Sequence, residues 1–331
     1  MQTPELTAAA VESLLAAAVA APSIHNTQPW RFGIDVNAPA ITVRVEPRRL
    51  PMADPRFRAQ HISVGAAVFN LRVAAAHLGW HPVVRLLPDP NAPDLLASVR
   101  LALPAADRPP SYGCQYEAVM RRHTSRMPFT GRPVPDQIVN DMVTAARVEG
   151  AHLDVPGPTG TRELLQLTAL AEARNAADPN RTAEARTWIT PPGAQARYGI
   201  PITSLGPPDA AGRIPMRDFT GPGPGLRLPA LRFERHAQVA RLDTADDRRV
   251  DWLRAGQALE RVLLVATGQS VRTSMLHQAM EWPDLRAAMG TPNRHCRSYP
   301  QVLIRFGYGP DGGPTPRAAA AMARQSGAGG S

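Results

Sequence analysis

The chain has 331 residues, 44% of them hydrophobic, and a formal net charge of +9. That apolar content can build a core, which excludes wholesale disorder, and two cysteines (Cys114 and Cys296) exclude a disulfide framework or a CxxC zinc pair. All the cations are arginine, spread along the chain with 5% aromatic residues, which argues against a nucleic-acid partner.

Residues 7–20 predict a helix, with Thr7 as cap, an apolar stripe through Val11, Leu14, Leu15, Ala18 and Val19, and Pro22 as its stop. The first ten residues hold no basic residue, and no apolar run approaches the ~20 residues of a membrane span, so a soluble cytoplasmic protein is expected. Residues 41–46 alternate with period two and predict a strand. Residues 61–78 predict a helix buried on most sides, closed by Gly79, and 82–87 and 98–103 predict two more strands. Ala105–Pro110 reads as a linker.

The second half restarts with helices at 115–121, 136–148 and 161–176. Residues 190–230 hold nine Pro and seven Gly, a composition that predicts a lid, a binding loop or a disordered segment. GPGPG at 221–225 follows no strand and opens no helix, so it is no phosphate loop. A second buried helix is expected at 249–267, a strand at 301–306, and a flexible tail over 318–331. Helices with a few strands, without regular βαβ alternation, predict an α+β fold.

Two short stretches carry the chemistry. Pro22-Ser-Ile-His-Asn-Thr-Gln-Pro-Trp30 packs amides and hydroxyls between two prolines after a helix end. It serves either as a plain helix stop and turn or as a rigid polar loop for a flat heteroaromatic ligand, since Asn26 and Gln28 each offer donor and acceptor. Arg121-Arg-His-Thr-Ser-Arg126 is either a solvated basic turn or an anion site, because arginine matches phosphate bidentately and a hydroxyl adds a donor. Nothing else competes. His77 and His81 have metal-ligand spacing, but Gly79 and Pro82 break the helix that would align them, and neither a zinc, a nucleophile nor a P-loop motif is found.

Together the two stretches resemble the nitroreductase family of FMN enzymes. The segment 22–30 is similar to that family's flavin-facing loop, and Arg122-His-Thr-Ser-Arg126 to its phosphate segment. In the family the phosphate segment comes first and the loop about twenty residues later; here the order is reversed. That is the arrangement expected of two nitroreductase-like halves fused into an internal pseudo-dimer with one of its two FMN sites lost, as in the actinobacterial Acg-type subgroup. The stretches 256–267, 274–278 and 301–308 are also similar to that subgroup. The resemblance implies halves at 1–110 and 111–317, antiparallel sheets flanked by helices, and a monomer or weak homodimer. It implies no nucleic-acid, membrane or metal partner.

Residue by residue, the resemblance implies that Arg122 and Thr124 hold the FMN phosphate, with Arg121 nearby and Arg317 as a second phosphate ligand. Arg126 would reach the N1/O2 edge of the ring. Pro22, Ser23 and Asn26 would approach ring and ribityl chain, with Gln28 supporting the loop. Ser274, Met275, Leu276, His277 and Gln278 would pass near the ring. The implied activity is ping-pong electron transfer from NAD(P)H through FMN to a small organic acceptor. The alternative is a non-enzymatic protein that sequesters FMN beneath a lid formed by 190–230.

Overall fold

The computed structural model describes residues 5–103, 115–191, 194–219, 228–290 and 298–324. The expected linker at 105–110, the GPGPG run, Cys114 and Cys296 lie outside them.

Helix α1 (Ala8–Val19) is capped as its sequence predicts, Thr7 accepting from the Ala10 amide at 3.2 Å. The strands β1 (Trp30–Asp35) and β2 (Ala40–Val45) form a hairpin, α2 (Arg58–His77) follows, and β3 (His81–Leu86) and β4 (Leu95–Ala102) complete a four-stranded antiparallel sheet in the order β1-β2-β4-β3. Gly79, with φ at +87°, closes the turn after α2. After α3 (Tyr116–Arg121) and α4 (Asp136–Val148) come β5 (His152–Asp154), α5 (Pro158–Ala177), α6 (Pro179–Thr187) and the two-residue parallel pair β6 (Ile189–Thr190) and β7 (Ile200–Pro201). Then β8 (Gln238–Thr244), α7 (Arg249–Gly268), β9 (Arg272–Met275), α8 (Pro283–Ala288) and β10 (Tyr299–Gly307) follow.

The second sheet runs β5-β8-β10-β9 and is also antiparallel throughout. Its plan repeats the first: two strands, a central helix, two strands, with the last strand inserted beside the second. Both central helices, α2 and α7, are 20 residues long, and they pack directly on each other. They cross at Gly65 and Gly256, which stand at matching positions, each seven residues after its helix start. A Cβ on Gly65 would meet the Leu253 carbonyl oxygen at 2.2 Å, and one on Gly256 the Ile62 carbonyl oxygen at 2.0 Å, so only glycine admits this approach. The fold is thus two fused halves of the same plan. One apolar core lies under each sheet, and Leu253 and Leu264 of α7 reach into the core of the first half.

Three differences from the sequence reading have physical reasons. Strand β1 went unread, although Trp30, Phe32 and Ile34 alternate there with more exposed residues. Strand β8 is buried almost throughout, and its charges, Arg241 paired bidentately with Asp243, hide it from a hydropathy pattern. The chain past position 318 is not loose at its start: residues 320–323 form a 3-10 turn and Arg324 bridges to Phe32 of β1.

Candidate functional site

Between Ala21 and β1 the chain turns sharply. His25, Asn26 and Gln28 all take positive φ (47°, 56° and 48°), a conformation costly for residues other than glycine and concentrated at functional sites. The surrounding bonds hold it there. Ser63 of α2 accepts from the Ile24 amide at 3.1 Å, and Ser23 Oγ from the Gln28 amide at 3.0 Å. Asn26 Nδ2 donates to the carbonyls of Gly199 (2.9 Å) and Pro316 (2.8 Å). Gln28 donates to the Arg197 carbonyl at 2.7 Å and accepts from the Ala318 amide at 2.9 Å. One polar loop therefore pins both the Pro/Gly-rich insert and the C-terminal segment.

The basic segment leaves α3 and bridges to β9, with Thr124 opposite Thr273. The C-terminal segment lies across it so closely that a Cβ on Gly312 would stand 1.9 Å from the Thr124 carbonyl oxygen. Buried Arg122 donates to the Ala20 carbonyl at 3.1 Å, and Arg317 donates to the Ala20 and Ala21 carbonyls and to Asn26 Oδ1 at 2.8 Å. Two guanidinium groups thus converge on the C-terminus of α1, where the helix dipole favours cations.

Two adjoining chambers result. The larger, a partly open cleft of about 850 Å³, is mostly apolar; Ile62 of α2, Leu259 of α7, and Met216 and Phe219 of the insert are among its walls. The smaller, about 440 Å³, is walled by Arg122, His123, Thr315 and Arg317. Both share Pro22, Ser23, Thr124, Arg126, Ile200 and Met275. Arg126 therefore stands at the junction. It donates to the Ser204 carbonyl at 3.0 Å and forms no ion pair among the described residues. Burial, and secondarily the neighbouring Arg217, lowers it to about 10, so it stays cationic at neutral pH. Burial and then Arg122 lower Arg317 to about 9.

Histidines flank the larger chamber. Burial, reinforced by Arg217 and Arg126, drives His25 well below its ordinary value. His277 is lowered in the same way by burial and then by Arg58. Both are neutral near pH 7. Arg217 of the insert approaches His25 Nε2 at 3.0 Å and pairs with the buried Glu281, which Arg181 also contacts at 3.3 Å.

The structure brings most of the sequence-predicted residues together. Pro22, Ser23, Thr124, Arg126, Ser274, Met275, Leu276, His277 and Gln278 line the larger chamber, and Asn26, Arg122 and Arg317 the smaller. Gln28 lines neither and braces the loop from behind. Arg121 is a correction in place: it is exposed, with Nε toward the Glu117 carbonyl within α3, because helical spacing turns it away from Arg122. Sequence reading missed Ala59, Ile62 and Ser63 of α2, Leu259, and the roles of His25 and Arg217. The signal available was polar residues, Ser63 among them, within a helix that reads as buried. Among the described residues no His, Cys, Asp and Glu cluster could hold a metal, and no helix is long and apolar enough to cross a membrane.

No family model matches the chain. It is 31% identical over 311 residues to Rv3131 of Mycobacterium tuberculosis, a protein provisionally named an NAD(P)H nitroreductase, covering 93% of this chain and 88% of the relative. It is 31% identical over 307 residues to acg of the same organism, which carries the same provisional name, covering 91% and 89%. Among solved structures, a nitroreductase with bound FMN from Bacteroides fragilis is 13% identical, covers 65% of this chain and 95% of its own, and has a TM-score of 0.36. With relatives this similar over nearly their full length, the chain belongs to the nitroreductase family, in its Acg-type group.

Proposed function

We propose that this chain is an FMN-dependent oxidoreductase with one flavin site, formed at the junction of its halves (1–110 and 111–317). The carrying observation is the pair of joined chambers, one apolar and ring-sized, the other lined by cations and hydroxyls, with Arg126 between them. The residues fit an FMN in a specific respect. Arg122 Nε and Arg317 Nε are buried without a hydrogen-bond partner, and such donors are costly unless an acceptor satisfies them.

FMN, when bound, would supply the redox chemistry for ping-pong electron transfer between NAD(P)H and a small organic acceptor. The chain's residues set position and field. Arg122, Arg317 and Thr124 hold the phosphate by charge-assisted bonds. Arg126 would present a fixed cation to the ring edge where negative charge would gather on reduction. Neutral His25 and His277 add polarity without a second positive charge. Ile62, Leu259, Leu276 and Phe219 keep water from the ring faces. Ser274–Gln278 run along the ring, and Asn26 fixes the loop against it. The protein acts in the cytoplasm as a monomer or weak homodimer.

A second reading, flavin sequestration without turnover, has its own observation. Ile200, Met216, Arg217 and Phe219, all from the 190–230 insert, help wall the ring chamber as a lid would. Anaerobic addition of NADH or NADPH separates the two. Bleaching of the flavin absorbance is the expected result; an unbleached flavin with both donors establishes sequestration.

A further inference from the structure

A buried carboxylate lies behind the arginine cluster, and the chemistry above makes no use of it. Glu260 of α7 is fully buried, and neither of its oxygens meets a partner in good hydrogen-bond geometry, the Asn70 amide making a loose contact only. Its nearest charge is Arg122 Nε at 3.5 Å, outside hydrogen-bond geometry. The Asn70 amide of α2 faces it, and Asn70's own polar atoms are likewise unsatisfied. A carboxylate in this condition carries a large desolvation penalty, and a core position on a central helix gains nothing from it that leucine or glutamine would not supply.

We propose that Glu260 is the resident counter-ion of the phosphate-side arginines, and that it takes up a proton when the dianionic phosphate of FMN binds Arg122 and Arg317. This rests on the cofactor reading above. Burial and then Arg122 lower Arg317, and with protein groups alone one buried negative charge at Glu260 offsets the two neighbouring positive ones. An arriving dianion does that work better and turns Glu260 into a like charge. Burial already pushes this carboxyl up to about 7, against the pull of Arg122, Asn70 and Arg317. The further push of a phosphate protonates it from bulk buffer at neutral pH. The groups facing Glu260 are Arg122 from the segment after α3, Arg317 from the C-terminal segment and the neutral Asn70 from α2. His123, at the same chamber, is lowered by burial and the two arginines and is neutral in the window used below.

The test is calorimetric titration of the full-length chain, freed of flavin, with FMN in two buffers of different ionisation enthalpy near pH ~7.5. The phosphate itself, with a second pKa of about 6, is then a dianion before and after binding. The wild-type chain is expected to take up roughly 0.5–0.75 proton per FMN bound near pH ~7.5, and its affinity to fall about three- to tenfold per pH unit above that. Glu260→Gln, close to isosteric, is expected to bind FMN more tightly at pH ~8, with no proton uptake and a flat pH profile. FMN binding by the wild-type chain without proton uptake, or equal uptake by wild type and variant, overturns the inference and leaves the cofactor reading standing. Failure of the wild-type chain to bind FMN overturns the cofactor reading and this inference with it. Should Glu260→Gln not fold, wild-type uptake and pH slope decide the matter.

Discussion

The two halves share a plan but differ at the site where the helix packed on the central helix hands over to the first sheet strand. In the first half that connection runs over residues 20–29, long enough to form the strained polar loop; in the second it spans only 149–151. The helix C-caps are Ala20 and Glu149. At Ala20 a bare carbonyl receives Arg122 and Arg317. At Glu149 the chain's own buried carboxylate receives Arg72 at 2.5 Å and Arg261 at 2.7 Å. One site keeps cations with spare donors behind an open loop; the other closes the loop and neutralises its cations internally. Residues 1–7 contain no arginine.

The central crossing belongs to both halves equally, and breaking it has the largest effect. Gly65→Ala and Gly256→Ala each press a methyl into a backbone carbonyl, and each is expected to cost about 3 kcal/mol or more. Urea denaturation checks this; one variant tolerated and the other not would break the equivalence of the halves. The site itself comes next. Arg122→Ala is expected to weaken FMN binding about ten- to hundredfold, the loss of one charge-assisted contact. Arg261→Ala, in the closed half, should lower stability and leave flavin affinity unchanged. Equal affinity losses would show that the two clusters are not distinct in function.

Much of this difference was legible in the residues. The loop and the basic segment announced themselves by polar side chains between prolines and by clustered arginines, and helices with a clean stripe or cap stood where expected. Arg217 was not legible, because its role depends on a fold-back that brings residue 217 to residue 25. Nor was Glu260, since one acid in a helical pattern reads as a solvated position. Strand β8 escaped because its internal Arg241–Asp243 pair mimics an exposed, charged segment.

Smaller effects sharpen the comparison. Phe219→Ala opens the insert's wall of the larger chamber and packs edge-on against His25, so it should speed flavin release and flavin reduction by NAD(P)H severalfold. Stopped-flow absorbance measures both; unchanged rates would place the insert outside the site's function. The smallest effect is a pH dependence. His277 is held neutral in the folded state and protonates near 6.5 when unfolded, so it contributes stability above that pH that is lost on acidification. His277→Gln should therefore gain on the wild type as pH falls below about 6.5, by at most ~1.4 kcal/mol per pH unit. Parallel stability curves would mean that folding does not lower the His277 pKa.

The asymmetry of the halves is tested most directly by counting flavin. Acid release of the cofactor from purified full-length chain, identified by chromatography and quantified against protein, should give one FMN per chain. A ratio approaching two would show that the closed half still binds flavin, and FAD in its place would contradict the phosphate site built on Arg122, Thr124 and Arg317.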